Sequence, residues 1–516
     1  MIRDLAGQPG QTHEVACDVL IIGGGTVGLL LATRLAAAGR HVVVVESGGM
    51  SQSGETHPLN EVVLLGAFYK GAESGRFRCL GGTSTRWGGA MLPFLETDMT
   101  FRQSGWDSEW PVTLADFTAY QGEIERLFGL PETPYDRPEI LPAGAAFIPR
   151  LAKWPPFKLR NVATLLDAQI KAENGPAVWL NATATQFGFD PGGRLASVEA
   201  RSANGGRLSV RPAETVIAAG AIESTRLLLL IDHQNDNRVF APDGVLGRYF
   251  HDHVSTETAR VTVSDRTALN RVIGFRFEGG GMRNLRFEPS AGLRAAHGIP
   301  AGFLHIAFST EAPAGFDVLR SIYRKIQRRD RFSLRDAAEL ASALPWLSRA
   351  AWWRFREKRL LFPDNAIFGL HAIVEQEPIA ANRIGLSPQR VDVFGCPLAT
   401  IDWRVADSDI TNVAEMTRQF VSAWRESPLG RLAEIQPAPP EALGKALSSF
   451  GGVYHPGGST KMGASPKTGV VDKDLRTFRT PNLSVLATSA FPSGGGANPT
   501  MMLMMAAFRL ADRLKG

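Results

Sequence analysis

Three glycines near the start of the chain have the spacing of a nucleotide-binding turn. Gly23, Gly25 and Gly28 fit a G-x-G-x-x-G pattern, in which the first glycine allows a tight turn, the second lets a pyrophosphate approach the backbone, and the third lets a helix pack on a strand. Glu46 ends the next apolar run, where a carboxylate can accept hydrogen bonds from ribose hydroxyls and repels a 2′-phosphate. The pattern predicts a bound dinucleotide other than NADP, and it does not by itself separate NAD from FAD.

A histidine and an asparagine near the other end of the sequence have side chains suited to alcohol oxidation. His455 lies in a Tyr-His-Pro-Gly-Gly run and Asn498 in Gly-Ala-Asn-Pro-Thr. A histidine of near-neutral pKa can take a hydroxyl proton as hydride leaves the carbinol carbon, and a second polar group can fix the oxygen. A single histidine is more often structural than catalytic, so neither residue alone decides the chemistry.

The glycine pattern lies within a predicted strand–helix–strand unit. Residues 19–22 form a continuous apolar run typical of a buried parallel strand, 29–38 are predicted to be a helix that stops at Gly39, and 41–45 to be the second strand. Residues 177–217 alternate as several strands broken by turn signals. These elements would place the glycines where a strand enters a helix.

Strands and helices are also predicted near the other candidate residues. Residues 215–220 indicate a buried strand, and a helix is predicted to begin at Glu223. Residues 482–487 are predicted to be a strand, and a helix is expected from about Pro499 onward. Residues 101–160, rich in Pro and Trp, are predicted to be loops around short helices.

The composition excludes several classes of protein. A chain of 516 residues is more than one hydrophobic core comfortably fills, which predicts two domains or a second domain woven into a large one. A net charge of +5 is small for this length and does not indicate nucleic acid binding. Cys17, Cys79 and Cys396 form no CxxC pair, so a disulfide framework is excluded and no structural zinc is expected. The N-terminal residues lack the apolar stretch of a signal peptide, and no apolar run reaches the roughly 18 residues of a membrane span, so a cytoplasmic location is expected.

A pair of histidines elsewhere has the look of a metal site. His251 and His253 flank Asp252, and these are residue types that bind zinc. Because no further ligands stand nearby in the sequence, no metal is predicted.

A series of motifs in a fixed order gives the chain a family resemblance. They are the fingerprint with residues 46–49, then residues 80–84, 218–229, 247–253 and 382–387, and the whole C-terminal segment. The chain resembles the glucose–methanol–choline (GMC) oxidoreductase family nearly from end to end. Residues 84–87 and 496–500 are most similar to the pyranose-oxidase-like branch.

The resemblance implies roles for particular residues. His455 matches the family's catalytic histidine, and Asn498 matches the second catalytic position, where the family uses His or Asn. The cofactor implied is FAD, and the residues expected to contact it are Gly23, Gly25, Thr26, Val27, Gly28, Glu46, Gly82, Thr83, Ser84, Trp87, Ala182, Thr183, Ala219, Ser489, Ala490, Asn498, Pro499 and Thr500.

Two positions depart from the pattern. Pyranose oxidases carry a histidine bonded covalently to FAD where this chain has Arg86, so dissociable FAD is predicted. Much of the wider family has an Asp that holds the ribitol where this chain has Ala487, so a backbone contact near Ser489 or Ala490 is expected instead. Trp87, in the first of these motifs, either packs against the flavin or fills the core.

Residues 314–362 form a separate basic block with helical periodicity. Its 12 Lys and Arg and 5 Asp and Glu give it a charge of +7, and Trp346, Trp352, Trp353 and Phe355 stand among them. Three interpretations stay open: a solvated lid over the substrate entrance, a surface that docks on an anionic membrane, or a contact with a partner or another subunit.

The expected fold class is α/β, with a Rossmann-like FAD-binding domain interleaved with a substrate domain built on an antiparallel sheet with helices. The FAD-binding domain is predicted to comprise residues 1–100, 170–255 and 450–516, and the substrate domain residues 101–169 and 256–449.

The predicted activity is oxidation of an alcohol group of a sugar, glycoside or related polyol by hydride transfer to flavin N5. His455 would act as the base and Asn498 would orient the hydroxyl. Oxygen, a quinone or another acceptor would take the electrons. The alternatives are a flavin-bound lyase, a peripheral membrane dehydrogenase that reduces a quinone, and a non-catalytic FAD-dependent scaffold.

Overall fold

The structure is a computed structural model that describes residues 1–515 except 53, 55, 102–105, 143, 311–314, 316–317, 319–320, 323–324, 326–332 and 497, with the backbone alone at 335. Much of the first half of the basic block therefore lies outside the described residues, including Arg320, Arg324, Arg328, Arg329 and Arg331.

The described strands and helices follow in chain order. The strands are β1 Ile2–Asp4, β2 Thr12–Ile22, β3 Val42–Val45, β4 Val62–Leu64, β5 Phe147–Trp154, β6 Ala177–Leu180, β7 Thr183–Phe189, β8 Leu195–Arg201, β9 Arg207–Ile217, β10 His253–Val263, β11 Arg276–Glu278, β12 Gly281–Pro289, β13 Gly302–Thr310, β14 Ala366–Glu375, β15 Arg383–Val391, β16 Pro397–Asp402, β17 Ala433–Pro437 and β18 Leu483–Val485. The helices are α1 Thr26–Ala37, α2 Glu96–Thr100, α3 Ala115–Thr118, α4 Gln121–Leu127, α5 Val162–Leu165, α6 Asp167–Lys171, α7 Ala221–Gln234, α8 Arg266–Ile273, α9 Ala291–His297, α10 Leu334–Trp352, α11 Asp407–Glu426, α12 Pro440–Phe450 and α13 Thr500–Leu514.

A mainly parallel sheet forms around the buried aliphatic strands near the start of the chain. Its strand order is β1-β6-β3-β2-β9-β8-β7, and β18 also pairs with β9. The neighbours from β1 to β9, and β18, run parallel, whereas β7, β8 and β9 form an antiparallel meander. The four valines of β3 are buried, as expected of a parallel strand covered on both faces.

A second, antiparallel sheet has a polar face and an apolar face. Its order is β11-β12-β13-β14-β10-β17, with β5 also beside β12. Side chains alternate along a strand, so Leu285 and Phe287 of β12 enter an apolar core, whereas Asn284, Arg286 and Glu288 face the other way. This polar face is available to line a site. A third sheet, in the order β15-β16-β4, is small.

The strand–helix–strand prediction at the fingerprint is confirmed, with different bounds. Helix α1 begins at Thr26, three residues before the predicted start, because Gly25 is its N-cap. The prediction of loops and short helices for residues 101–160 is wrong at β5, because this strand pairs with β12 across more than a hundred residues, a partner that no local pattern reveals.

The α/β fold class is confirmed, and the domain boundaries remain a proposal. The strands of the first sheet all come from the ranges proposed for the FAD-binding domain. Those of the second come from the substrate ranges, apart from the first residues of β10, and the third sheet joins β4 of the first domain to β15 and β16 of the other.

Within the described residues, no helix combines the length and apolar character that crossing a membrane requires. The described part of the basic block forms α10, which continues into a π-helical turn at Trp353–Glu357. Trp346, Trp353 and Leu361 pack together in a small apolar cluster of their own.

Candidate active site

Strand β2 enters helix α1 through the Gly23–Gly28 turn. A Cβ at Gly23, whose φ is +113°, would lie 2.5 Å from the carbonyl oxygen of Ala218, and one at Gly28 would lie 2.0 Å from the carbonyl oxygen of Gly23. At Gly25, by contrast, nothing lies within 4 Å of the Cβ position. The turn is therefore tightly packed on its protein side and open at the N-terminus of α1, which is the arrangement that a pyrophosphate needs.

A cavity adjoins this turn and gathers segments from both ends of the chain. Among the predicted FAD contacts, those that line it are Gly23, Gly25, Thr26, Val27, Glu46, Gly82, Thr83, Ala182, Thr183, Ala219, Pro499 and Thr500. His455 lines the same cavity. The open space beside Gly25 and this wall, which both ends of the chain share, fit an elongated dinucleotide such as FAD.

Glu46 lies buried at the cavity wall with both oxygens engaged. Oε2 accepts the Gly24 N–H at 2.8 Å, and Oε1 accepts the Gly48 N–H at 2.8 Å. Burial raises the pKa of this carboxyl group, and the two backbone N–H groups oppose that rise. Oε1 also accepts from the Ser47 hydroxyl at 3.3 Å, whereas Oε2 has a further lone pair and can still accept a hydrogen bond from a ribose hydroxyl.

The structure brings His455 and Asn498 together. Asn498 Nδ2 lies 3.2 Å from His455 Nε2, and Asn498 Oδ1 accepts a 2.9 Å hydrogen bond from Arg286 Nη2 of β12. His455 is half-buried and its Nδ1 has no hydrogen-bond partner. The polar face of the second sheet therefore meets the C-terminal segment at this pair.

A buried carboxylate fixes the backbone beside His455. Asp252 Oδ1 accepts the His455 N–H at 2.9 Å, and Asp252 Oδ2 accepts the Tyr69 hydroxyl at 2.7 Å. Tyr454, just before the histidine, has a φ of +66°, a conformation that side-chain-bearing residues rarely adopt. Burial raises the pKa of Asp252 to about 6.

His253 supports His455 from β10. Its Nε2 donates to the Gly495 carbonyl oxygen at 2.7 Å, and its ring meets the His455 ring edge-on at 5.1 Å between centroids. Burial lowers the pKa of His253 to about 4. Burial, with smaller contributions from His253 and Arg286, also lowers the pKa of His455 well below its ordinary value. Both rings are therefore neutral near pH 7.

The C-terminal part of the chain decides the family. Residues 378–507 match the family model described as GMC oxidoreductase. These residues belong to the GMC oxidoreductase family. One relative, gluconate 2-dehydrogenase flavoprotein of Pantoea cypripedii, is 25% identical over 69% of this chain and 50% of that protein, and its name agrees with a dinucleotide cavity beside the His455–Asn498 pair.

Curated relatives of the chain carry the names of dehydrogenases and oxidases. The chain is 24% identical to 2-methyl-1,2-propanediol dehydrogenase of Mycolicibacterium austroafricanum, over 60% of this chain and 49% of that protein. It is 23% identical to 6'''-hydroxyparomomycin C oxidase of Streptomyces lividus, over 97% of this chain and 92% of that protein. The chain thus spans about half the length of the first relative.

A solved structure shares the fold. The crystal structure of pyridoxine 4-oxidase from Mesorbium loti superposes with a TM-score of 0.59, covering 96% of this chain and 99% of that one at 16% identity. At this level of identity the likeness shows a shared fold.

Some residues predicted to contact FAD lie away from the cavity wall. Gly28 packs against the turn itself. Ser84 Oγ donates to the Gly81 carbonyl at 2.6 Å, and Trp87 Nε1 donates to the Arg160 carbonyl at 2.8 Å. Trp87 also packs against the main apolar core, which favours the core-filling interpretation of this residue.

The C-terminal contacts expected to replace the missing Asp are buried. Ala487, Ser489 and Ala490 are almost fully buried, and Ser489 Oγ accepts a hydrogen bond from Thr460 Oγ1 at 2.7 Å. The cavity is lined here by Thr488 instead. Whether the backbone of Ser489 or Ala490 contacts the cofactor stays a prediction.

Sequence reasoning missed an arginine cluster on the cavity wall. Arg76 and Arg78 line the cavity with Glu223 of α7, and Arg78 Nη2 contacts Glu223 Oε2 at 2.8 Å. Burial, followed by the charge of Arg78, lowers the pKa of Arg76 to about 10. The segment that carries both arginines has no regular periodicity, and the signal that it offered was the Arg-Phe-Arg run before the second glycine-rich stretch.

His455 and two side chains near it have atoms that could bind a metal, but most of these atoms have other partners. Asp252, His253 and His455 bring one potential ligand atom each within 4.8 Å of one another. Backbone N–H groups and Tyr69 occupy the Asp252 oxygens, and His253 Nε2 is bonded to Gly495. That no metal binds here remains a prediction.

Proposed function

We propose that the chain is a GMC oxidoreductase that binds FAD and oxidises an alcohol group of a sugar, glycoside or related polyol. The observation that carries the proposal is the contact between His455 Nε2 and Asn498 Nδ2, 3.2 Å apart, beside the cavity that the fingerprint opens. A base and a hydrogen-bond donor at one place are what removal of a hydroxyl proton requires.

The residues that would hold FAD follow from the cavity wall. The open backbone at Gly25 and the N-terminus of α1 would bind the pyrophosphate, and Glu46 would accept from the adenosine ribose. Thr183 and Pro499 line the cavity, and we expect Thr183 to contact the adenine and Pro499 to face the flavin. Bound FAD would supply the acceptor for the hydride.

His455 and Asn498 would then act on the substrate hydroxyl. His455 Nε2 would take the proton, since its lowered pKa leaves it neutral and able to accept. Asn498 Nδ2 would donate to the same oxygen and fix its direction. Near-complete burial of the supporting residues Asp252 and His253 keeps water from competing for these groups.

The choice of substrate class rests on two supports. The motifs at residues 84–87 and 496–500 resemble the pyranose-oxidase-like branch. Two relatives are named for compounds that carry hydroxyl groups, a propanediol and a hydroxyparomomycin. Arg86 is exposed beside Phe77 and off the cavity wall, so we propose that FAD is held without a covalent bond and leaves the protein on acid denaturation.

An anaerobic screen of sugars, glycosides and alcohols for bleaching of the flavin, followed by oxygen, tests the proposal. His455→Ala should retain FAD and lose flavin reduction, whereas His297→Ala, a change at a surface histidine paired with Glu415, should leave both intact. Reduction of His455→Ala at a rate near that of the unchanged protein would contradict the assignment. A flavin that no alcohol bleaches, in a protein that still cleaves a hydroxylated substrate, would favour a lyase.

An exposed apolar face on α10 favours the peripheral-dehydrogenase alternative as a second candidate. Leu344 and Trp352 of α10 are 56% and 52% exposed, and Phe355, in the π-helical turn that continues the helix, is 72% exposed. Arg349 and Arg356 are exposed beside them. An amphipathic helix with aromatic and basic side chains suits the headgroup region of an anionic bilayer, so we propose that this face docks there.

Flotation with vesicles tests whether this face binds a membrane or a second copy of the chain. The protein should float with phosphatidylglycerol vesicles and not with phosphatidylcholine vesicles, and a Trp352→Ser, Phe355→Ser variant should stay at the bottom of the gradient. Phe157→Ser is the matched control, because Phe157 is 67% exposed elsewhere on the molecule. A variant that floats as well as the unchanged protein, or a dimer that the double substitution dissociates, would contradict membrane docking.

A further inference from the structure

Arg286 makes the connection between the second sheet and the proposed catalytic pair. Its side chain is 1% exposed, and the guanidinium carbon lies 3.8 Å from the centroid of the Phe303 ring on the neighbouring strand β13. Nη2 donates to Asn498 Oδ1 at 2.9 Å, and Nη1 lies 3.9 Å from Glu288 Oε1. Stacking and burial therefore hold the planar group in one orientation.

The hydrogen-bonding capacity of a guanidinium determines how Asn498 must lie. A guanidinium has five N–H donors and no acceptor, so the Asn498 atom that meets it has to be the amide oxygen. The amide nitrogen then faces His455 Nε2 at 3.2 Å. Because that nitrogen only donates, His455 Nε2 has to be the unprotonated nitrogen of the ring, and the proton of the neutral imidazole lies on Nδ1.

We propose that Arg286 is a positioning residue for the oxidation: it orients the Asn498 amide, and through it holds His455 in the tautomer whose Nε2 carries no proton and can accept one. This inference rests on the proposed function, since it concerns the proposed base. It assigns a role on the polar face of the second sheet, outside the C-terminal motifs.

The charge of Arg286 acts in the same direction as its hydrogen bond. His455 is faced by Asp252 just before β10, by His253 at the start of β10, and through Asn498 by Arg286 of β12. Burial is the largest cause of the lowered pKa of His455, followed by His253 and Arg286. A neighbouring cation disfavours the imidazolium form, so loss of Arg286 should raise the pKa of His455.

The structure provides a matched control in Arg150. Arg150 of β5 is the direct strand neighbour of Arg286, is 3% exposed, and donates to Glu288 at 2.6 Å. It makes no contact to Asn498 among those described, so Arg150→Met removes the same kind of buried cation from the same network without touching the proposed pair.

NMR of the FAD-loaded protein labelled with 15N-histidine tests the inference without any substrate. The His455 signals are identified by their loss in His455→Gln. In the unchanged protein Nε2 should be unprotonated and Nδ1 protonated. In Arg286→Met the two tautomers should mix and the titration midpoint should rise, and Arg286→Lys, which keeps a charge but loses the planar fork, should mix the tautomers with a smaller rise. Arg150→Met should resemble the unchanged protein.

Rates of anaerobic flavin reduction give the second readout. Arg286→Met and Asn498→Ala together should slow reduction by less than the product of their separate effects, with a coupling of roughly 2- to 100-fold as for residues in direct contact. An unchanged tautomer and midpoint in Arg286→Met, an equal change in Arg150→Met, or fully independent rate effects would overturn the inference. Failure of every alcohol to reduce the unchanged protein would overturn the proposed function, and the NMR result would still decide the role of Arg286.

Discussion

His455 is a base kept neutral by its surroundings. Burial comes first among the causes that lower its pKa, and the neighbouring His253 and Arg286 add to the effect. A histidine in water titrates near pH 6.5, which would leave a large part of the base protonated in mildly acidic solution. The surroundings of His455 therefore keep the resting imidazole unprotonated, so that it is ready to accept the proton of the substrate hydroxyl.

The lowered pKa makes a prediction about acid tolerance. The base has to be unprotonated, so the rate of flavin reduction should stay level as the pH falls from about 8 through 6.5 and should decline only in more acidic solution. Stopped-flow reduction with an alcohol from the screen, at saturating concentration, measures this profile. A decline centred at or above the ordinary imidazole pKa would show that His455 is not the base or is not shielded.

At this scale the sequence predicts residues that belong to local motifs and misses those that do not. Gly25 and Gly28 could be given separate roles from spacing alone, and the structure shows one open and one packed against backbone. Arg286 belongs to a strand whose pairing with β5 and β13 is not local. The alternation of Asn284, Arg286 and Glu288 with Leu285 and Phe287 predicts a polar face, but the sequence does not say what that face meets.

Among the elements, α1 and the strand before it form the unit on which cofactor binding would depend. Helix α1 starts at Thr26 with Gly25 as its cap, and α13 packs beside it. The two glycines of the turn serve different contacts, so substitution at each should have a different effect.

Gly25→Ala and Gly28→Ala form a matched pair of variants. A methyl group at Gly28 would sit 2.0 Å from a backbone oxygen that cannot move without shifting β2, so we expect the free energy of unfolding to fall by roughly 1–3 kcal/mol or more. A methyl group at Gly25 meets no protein atom within 4 Å, so the FAD-free protein should unfold at an unchanged temperature. FAD binding to Gly25→Ala should weaken by roughly tenfold or more, because the methyl group projects where the pyrophosphate approaches.

Thermal unfolding without FAD, followed by titration with FAD, distinguishes the two effects. Equal losses of stability in both variants would mean that the open side of the turn is not a binding surface.

Element prediction worked here because β2, α1 and β3 are consecutive and their period is local, whereas β5 could not be found because its partner lies far along the chain.

Across the whole molecule, a buried ion cluster ties the cavity wall to the third sheet. Glu223 contacts Arg78 at 2.8 Å and Arg226 at 2.9 Å, and Arg226 contacts Asp392, between β15 and β16, at 2.7 Å. Although burial alone would raise it, the neighbouring guanidinium groups lower the pKa of Glu223 to about 2. Glu223 therefore stays ionised in the folded protein at pH values where an exposed glutamate is protonated.

Glu223→Gln should be strongly destabilising. It leaves three nearby arginines with one carboxylate fewer, and removing one partner of a buried ion pair costs about 3–5 kcal/mol. The contribution of the carboxylate is complete above the unfolded pKa of about 4.3 and is lost as the pH falls toward the folded value, so the difference between the two proteins should narrow in acid. Glu61→Gln, at an exposed pair with Arg390, should change stability by less than about 1 kcal/mol.

Denaturant unfolding of the three proteins at neutral and acidic pH measures these differences. A small difference in the free energy of unfolding between Glu223→Gln and the unchanged protein, or a difference that widens in acid, would contradict this prediction.

The two-part organisation was expected from length and motifs. A cluster that joins Arg78, Arg226 and Asp392, by contrast, depends on the assembled tertiary structure and has no counterpart in local sequence.

The pairing of β18 with β9 has a consequence for biosynthesis. Asn482, the residue before β18, accepts a hydrogen bond from the N–H of Leu195, the first residue of β8, across 287 positions of sequence. A ribosome therefore releases β9 long before it makes β18, and the edge at Thr215–Ile217 stays without that neighbour in the meantime. An unpaired edge is open to association with other chains. We expect the nascent protein to need shielding at this edge until β18 has been made, and to take up its cofactor only afterwards.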